Sequence, residues 1–162
     1  LILAGAMIYL GKKSKSLDEG IEEAIRILKS GKAFEKFIQI VKAQNGNTDF
    51  ISHPEKYPKS KFREVIKANS TGFLSEVNTY DLGMAAIDLG AGRKTKDDKI
   101  DPKAGIIFNC KIGDAINKGV VLAELFSDFK SGIDSAKKRI ANAIKISKSK
   151  PQKPKLIKTI IN

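Results

Sequence analysis

The first 45 residues carry apolar positions three or four apart, the spacing of helices. The opening ten residues, LILAGAMIYL, are apolar on all sides, which is typical of a buried helix. Ser16 and Glu19 have the spacing of a capping box, in which each side chain would satisfy the other's backbone N–H. Glu22 and Arg26 are four residues apart and are expected to pair on the outer face. The apolar stripes of the second and third helices are Leu17, Ile21, Ala24, Ile25, Leu28, Phe34, Phe37, Ile38 and Val41.

Residues 45–61 lose this periodicity. Asn45, Gly46, Pro54 and Pro58 punctuate the stretch, and it has the composition of a linker between two structural units. The sequence therefore predicts a helical unit at 1–58 and a second unit at 59–162.

From Phe62 onward short apolar runs alternate with glycines at turn positions, which predicts strands. Asp81 is placed to cap a short helix that Gly90 closes, and a polar loop follows over 91–102. The expected strands lie at 65–66, 73–77, 104–110 and 120–125. This pattern favours a compact barrel or sandwich after the helical layer, and hence an α+β fold.

Residues 131–147 are predicted to form one further helix. Its apolar face would consist of Ile133, Ala136, Ile140, Ala143 and Ile144. Pro151 and Pro154 then interrupt the chain, and Leu156–Ile161 is a candidate for a last strand.

Composition agrees with a globular protein, since 41% of the 162 residues are hydrophobic and 30% are charged. The net charge of +12 suggests a nucleic-acid partner at first. However, nine cations and no acid follow Asp134, which leaves the preceding residues at about +3. The basicity belongs to one terminal segment that lacks aromatic residues for base stacking. A non-enzymatic nucleic-acid-binding module is therefore retained only as an alternative function.

The N-terminus is apolar from the first residue and lacks an initiator Met. Ten residues are too few to span a bilayer, which takes about 20, and no charged leader precedes them. We therefore expect no membrane association. A buried helix is not expected to open a chain, so we interpret the sequence as a fragment of a longer protein.

Nucleophile and metal chemistry have little support in the sequence. The single cysteine, Cys110, lies among Ile and Phe and is expected to be a buried, inert thiol in mid-strand. The single histidine, His53, is expected to be a loop residue and has no partner for a His-based metal site. No catalytic triad, metal cluster or acid–base pair is predicted.

The Gly90-Ala91-Gly92-Arg93 turn, followed by Lys94 and Lys96, admits two interpretations. Its backbone N–H groups and cations could approach an anion, or it could be a helix C-cap followed by a solvated basic loop. No Gly-Lys-Ser/Thr follows, so a P-loop is excluded. The nearby acids Asp97, Asp98 and Asp101 are either a cation site or, more commonly, solvated side chains.

The segment from Gly105 to Leu125 has an apolar strand, a Gly-Asp turn, an Asn-Lys-Gly turn and a returning apolar strand. It resembles half of a biotinyl or lipoyl carrier domain, and the stretch from Gly72 (GFLSEV) is a weaker counterpart. A carrier needs a lysine between the halves, and LGMAAIDLG has none. The sequence therefore predicts a carrier-like fold without carrier function.

A more specific resemblance is carried by LGMAAIDLGAGR at 82–93, KDDKID at 96–101 and AGI at 104–106. A second matching turn comprises Lys111, Gly113, Asp114, Ile116, Gly119, Leu122 and Ala123, with Ile116 where Val is usual. Segments of the N-terminal helices match in the same order. With these motifs the chain resembles the C-terminal part of the pyrimidine-nucleoside phosphorylases, the family that includes thymidine phosphorylase.

The resemblance implies an N-terminal helical layer that ends an α/β domain, followed by an α/β-hammerhead, barrel-sandwich-like unit. It implies a cytoplasmic homodimer that converts a pyrimidine nucleoside and phosphate into the free base and ribose- or deoxyribose-1-phosphate. The substrates would bind in a cleft that closes between two domains. Gly90, Gly92, Arg93 and Lys94 are then a candidate cleft-closure loop.

The family's phosphate-binding motifs, K-x-S-T-G-G-V-G-D and S-R-G with T-G-G-T, do not occur in these 162 residues, and neither do its base-binding Arg and Lys. No catalytic, phosphate-binding or base-binding residue is therefore assigned. We expect the chain to be inactive by itself, with phosphate as co-substrate of the whole enzyme and no cofactor or metal. The preference between uridine and thymidine stays open.

Overall fold

The structure is a computed structural model, and it describes residues 1–160. It divides into two compact units, Leu1–Tyr57 and Pro58–Asn162. The first is helical and the second combines two helices with two antiparallel sheets. The prediction of an α+β fold is confirmed.

Three helices dominate the first unit, as predicted: α1 at Ile2–Leu10, α2 at Leu17–Lys29 and α3 at Lys32–Ala43. Helices α1 and α2 cross with their backbones in contact. A Cβ on Gly5 would lie 2.6 Å from the backbone nitrogen of Ile21, so only glycine permits this crossing.

Two polar contacts of α2 differ from prediction. The Ser16 hydroxyl accepts from the Glu19 N–H at 3.2 Å as expected, but the Glu19 carboxylate accepts from the Lys15 N–H at 2.8 Å. Arg26 pairs with Glu23 and not with Glu22, because two guanidinium N–H groups reach the Glu23 carboxylate, at 2.7 and 2.5 Å.

The predicted linker contains two short helical turns, α4 at Asp49–Ser52 and a 3₁₀ turn at Pro54–Lys56. Local contacts account for both. The Asn47 side chain accepts from the Asp49 N–H at 2.9 Å, and the rings of Phe50 and Tyr57 meet edge to face at 5.3 Å.

Within its described residues, the second unit has these elements: β1 (Phe62–Lys67), β2 (Gly72–Val77), α5 (Thr79–Leu89), β3 (Gly105–Phe108), β4 (Ala115–Ile116), β5 (Val121–Ser127), α6 (Lys130–Ala143) and β6 (Ile144–Ser147). The strands form two three-stranded sheets, ordered β1-β5-β3 and β4-β2-β6, with antiparallel pairing throughout. Helix α5 follows β2, and helix α6 joins β5 to β6.

Two apolar clusters form the core of this unit. The first joins α5 and α6 to β5, and four residues of the predicted α6 face are buried as expected. The second lies between the strands, and Ile144 packs against both clusters. Their buried members are Ala85, Leu89, Leu125, Ile133, Ala136 and Ile140 in the first, and Ala68, Leu74, Cys110, Ile116 and Leu122 in the second.

The helix predicted at 131–147 ends four residues earlier in the structure. Helix α6 ends at Ala143, and Ile144 is extended with φ −112° and ψ 131°. Ile144–Ser147 pairs with β2 because that edge has free backbone groups and the alternating Ile-Lys-Ile-Ser suits a half-buried strand. The strand predicted at 156–161 does not form over 156–160, and Ile161 lies outside the described residues.

Two smaller predictions in this unit are also wrong. Asn78, not Asp81, caps α5, because its side-chain oxygen accepts from the Asp81 N–H at 3.3 Å. Cys110 lies two residues beyond the end of β3 and not in mid-strand, because the chain turns toward Gly113 there. The predicted closure of α5 by Gly90 is confirmed by its left-handed φ of 103°.

Candidate functional site: the Gly90 loop and Asp88

The loop at residues 90–101, here called the Gly90 loop, continues directly from α5. The Ala91 N–H donates to the Ala86 carbonyl at 3.0 Å, and the Asp101 N–H donates to the Gly90 carbonyl at 2.9 Å. These two bonds close the base of the loop against the C-terminus of the helix.

Asp98 forms an inner turn of the Gly90 loop. Its carboxylate accepts from the Lys94 N–H at 2.8 Å, the Thr95 N–H at 3.0 Å and the Thr95 hydroxyl at 2.9 Å. The hydrogen bonds from the Thr95 and Lys94 amides hold the pKa of Asp98 below its ordinary value. The Asp98 carboxylate is thus hydrogen-bonded within the loop, and it is neither a freely solvated acid nor an unoccupied ligand for a cation.

The other two acids considered as cation ligands differ from each other. Asp101 accepts from the Lys103 N–H at 2.9 Å through Oδ1, while its Oδ2 is buried without a hydrogen-bond partner. Asp97 is exposed. Within residues 1–160, no group of three or more His, Cys, Asp and Glu side chains is arranged to hold a metal ion.

Asp88, in the last turn of α5, binds two cations from different elements. Its side chain is only 6% exposed. Oδ1 lies 2.8 Å from Lys94 Nζ of the Gly90 loop, and Oδ2 lies 3.0 Å from Arg139 Nε of α6. Burial opposes ionisation of Asp88, but the hydrogen bonds and charges of the two cations outweigh it and lower its pKa.

A polar groove of about 430 Å³ runs beside Asp88 between α5 and α6. Arg139 lies along it and also approaches Asp81, at 3.8 Å. The helices come this close because residue 132 of α6 is glycine, where a Cβ would lie 2.5 Å from the Asp88 carbonyl oxygen. The lining residues are Asp81, Asp88, Ser135, Lys138, Arg139 and Asn142.

The four residues predicted for the cleft-closure loop occupy consecutive parts of the Gly90 loop. Gly90 provides the left-handed helix end, and Gly92 packs on α5, where a Cβ would lie 2.7 Å from Ile87 Cγ1. Lys94 turns back to Asp88, whereas Arg93 is exposed and forms no ion pair with any described residue. The geometry therefore leaves Arg93 as a cation directed at solvent.

Asp88 and Arg139 are not among the residues predicted from the sequence. One signal was available, because Asp88 is the only charged residue between Asp81 and Arg93. The partner Arg139 is 51 residues away and has no local signature.

The C-terminal basic segment has fewer unpaired cations than its composition suggests. Besides Arg139, three of its lysines pair with acids elsewhere in the unit. These pairs are Lys137 with Glu64 at 3.3 Å, Lys145 with Glu76 at 2.7 Å and Lys153 with Asp114 at 3.4 Å.

Cys110 and His53 show no nucleophile geometry. Cys110 is buried as predicted, and burial together with the nearby Asp114 charge raises the pKa of its thiol, which disfavours the reactive thiolate. His53 is half-exposed at the end of α4, 3.4 Å from Glu55 and 3.8 Å from Asp49.

None of the helices in the described part of the chain has both the length and the apolar character needed to cross a membrane.

The part of the chain that forms this site is similar to known proteins. Residues 73–147, which include Asp88, Arg139 and the Gly90 loop, match the model of the pyrimidine nucleoside phosphorylase C-terminal domain. The pyrimidine-nucleoside phosphorylase of Bacillus subtilis strain 168 is 35% identical over 161 residues, 99% of this chain and 37% of that protein. The enzyme of the same name from Staphylococcus epidermidis strain ATCC 12228 is 36% identical over 161 residues, with the same coverage.

A third relative, the pyrimidine-nucleoside phosphorylase of Staphylococcus aureus strain N315, is 36% identical over 147 residues, 91% of this chain and 34% of that protein. The chain thus spans little more than a third of the length of these curated relatives. The resemblance deduced from the motifs is confirmed, since residues 73–147 match the C-terminal domain of the pyrimidine nucleoside phosphorylases and 99% of the chain aligns with one of these enzymes.

Proposed function

We propose that this chain is the C-terminal part of an enzyme that converts a pyrimidine nucleoside and phosphate into the free base and ribose- or deoxyribose-1-phosphate. The observation that carries the proposal is 35% identity to a pyrimidine-nucleoside phosphorylase across 99% of the chain. The enzyme would be a cytoplasmic homodimer without a cofactor, in which phosphate is the co-substrate.

We further propose that the chain by itself is inactive. Phosphorolysis requires phosphate held against C1′ of the sugar and cations that stabilise the negative charge on the departing base. The glycine-rich phosphate motifs of the family are absent from the sequence. Arg139, which lines the polar groove, is already paired with Asp88, and Lys94 pairs with the same carboxylate.

A chimera provides a direct test of both proposals. The matching 161 residues of the Bacillus subtilis enzyme would be replaced by this chain, and phosphorolysis of uridine and thymidine would be followed by release of the base. We expect activity from the chimera and none above background from the isolated 162 residues. A folded chimera without activity would contradict the assigned function, and turnover by the isolated chain would contradict its inactivity.

Within that enzyme, the Gly90 loop is proposed to lie at the mouth of a cleft and to take part in its closure. The exposed, unpaired Arg93 and the two glycines that precede it, Gly90 and Gly92, support this placement. In the chimera, Arg93→Ala is expected to lower kcat/KM, whereas Lys99→Ala, an exposed cation of the same loop, is the matched control. Equal kcat/KM values in the two variants would exclude the role of Arg93.

The finer fold assignment belongs to the same proposal. Two three-stranded antiparallel sheets, with α5 between β2 and β3, are compatible with an α/β-hammerhead of barrel-sandwich type. Acyl-carrier function is not proposed, because α5 contains no lysine to modify.

Nucleic-acid binding has weaker support, because four of the nine cations after Asp134 are paired with carboxylates. Such binding would weaken steeply with salt. Fluorescence anisotropy with single-stranded and duplex oligonucleotides is expected to detect no binding near physiological salt.

A further inference from the structure

We propose that Asp88 is a positioning residue that fixes the Gly90 loop to α5 and α6 and thereby directs Arg93 toward solvent. Its two carboxylate oxygens are divided between Lys94 of the loop and Arg139 of α6, at 2.8 and 3.0 Å. Three elements therefore meet at one carboxylate.

The Asp88 contact differs from the other attachments of the loop. The bonds at Gly90 and Asp101 hold only its base, and Asp98 organises only its inner turn. Gly92 also packs on the Ile87 side chain of α5, and the ion pair of Asp88 with Lys94 is the polar side-chain tie from the loop to the helices among residues 1–160. Without it, the inner turn would be held only through the base of the loop and Gly92, and its Lys94 and Thr95 N–H bonds to Asp98 would open more often.

Burial strengthens this tie. The Asp88 side chain is 6% exposed, so solvent screens its charge less than that of a surface acid. Arg139 is itself fixed, because α6 touches α5 at Gly132 and the guanidinium also faces Asp81 at 3.8 Å. The carboxylate thus presents Oδ1 to Lys94 from a rigid base. With Lys94 occupied in this way, its neighbour Arg93 keeps an unpaired charge among the described residues, as do Lys96 and Lys99 of the same loop.

Hydrogen exchange of the backbone amides, measured by NMR on the 162-residue chain, tests the proposal. Asp88→Asn keeps the shape of the side chain and removes its charge. We expect the Lys94 and Thr95 amides to exchange about three- to tenfold faster, with the β5 amides unchanged. Asp81→Asn is the matched control, since it removes a charge from the same helix and the same Arg139 without touching the loop; its effect is expected to be below about twofold.

Lys94→Gln provides a second, independent variant, because Lys94 is 60% exposed and not part of the core. We expect the same acceleration as in Asp88→Asn, and no further acceleration in the double variant. The proposal is overturned if Lys94→Gln leaves loop exchange unchanged, if Asp88→Asn resembles Asp81→Asn, or if loop and β5 amides accelerate equally. The role of Arg93 in cleft closure rests on the proposed function. The exchange experiment needs no substrate, so its outcome does not depend on whether the enzyme catalyses phosphorolysis.

Discussion

Gly132 shows how one residue determines the geometry around Asp88. A Cβ at this position would lie 2.5 Å from the Asp88 carbonyl oxygen, a backbone atom that cannot rotate away. Helix α6 can approach the end of α5 only with glycine there. That approach brings Arg139 within 3.0 Å of the Asp88 carboxylate.

Replacing Gly132 by Ala is therefore expected to lower the free energy of unfolding by about 1–3 kcal/mol, because overpacking exceeds the gain in helix propensity. Urea unfolding monitored by circular dichroism measures the change. The matched control is Gly83→Ala in α5, where an added Cβ meets nothing within 4 Å. There we expect stabilisation of about 0.5–1 kcal/mol, and destabilisation of similar size in both variants would contradict the packing argument.

At the scale of elements, the ends of helices were harder to predict than their apolar faces. Helix α5 is capped by Asn78, whose side chain both accepts from the Asp81 N–H and donates to the Asp81 carboxylate, at 3.3 and 2.6 Å. The backbone N–H of Asn78 also donates to the Ala143 carbonyl, at 2.8 Å, at the point where α6 ends and β6 begins. The start of one helix and the end of another are thus joined at Asn78.

Asn78→Ala is expected to destabilise the second unit by about 1 kcal/mol through loss of the helix cap. Thr79→Ala, one residue further into α5, changes a side chain without a capping role and should have a smaller effect. Thermal or urea unfolding of the two variants measures the loss of stability in each. If Thr79→Ala proved the more destabilising, the assignment of Asn78 as the cap would be wrong.

At the scale of the whole molecule, lowered carboxyl pKa values are concentrated in the second unit. Glu64, Asp88, Asp98, Asp114 and Asp128 have pKa values below their ordinary ones, whereas in the first unit this direction is resolved for Glu23. A carboxyl group with a lower pKa when folded binds fewer protons in the folded state. Its stabilising contribution is complete above the unfolded pKa and is lost as pH falls through the folded one.

We therefore expect the second unit to lose stability as pH falls below about 4, the ordinary range of these groups. Urea midpoints measured between neutral and acidic pH test this expectation. Asp128 accepts hydrogen bonds from Lys103 Nζ and the Lys61 N–H, which lower its pKa, so Asp128→Asn should make the acid dependence shallower. Asp97→Asn is the control, since Asp97 is exposed and forms no hydrogen bond or ion pair with a described residue.

The two units also differ in how much apolar surface each one buries. Both core clusters belong to residues after 57, whereas the first unit's buried hydrophobic side chain is Ala24. The interpretation of the opening segment as a buried helix is wrong in this structure, because Leu3, Met7 and Leu10 of α1 are about three-quarters exposed.

Residues 58–162 alone are expected to unfold cooperatively in urea, and residues 1–57 alone to show no cooperative transition and to self-associate through exposed apolar side chains. Circular dichroism and size-exclusion chromatography measure the two properties. A monomeric, cooperatively folding 1–57 peptide would contradict this expectation.

The sequence by itself determined the positions of the three N-terminal helices, the buried face of α6, the glycine that closes α5 and the resemblance to the phosphorylases. These features rest on local spacing and on contiguous motifs such as LGAGR, which are visible in a short window of sequence. The sequence also placed Gly90, Gly92, Arg93 and Lys94 in one loop, because they are neighbours along the chain.

Only the tertiary structure decided which polar groups pair and where α6 ends. Residues 144–147 became a strand because the edge of β2 offered hydrogen bonds that no local pattern encodes. Asp88 meets Arg139 across 51 residues because α6 packs on α5 at Gly132. Such contacts depend on how elements pack together, since the energy of a charge or an open strand edge is set by its surroundings in space and not by its neighbours in sequence.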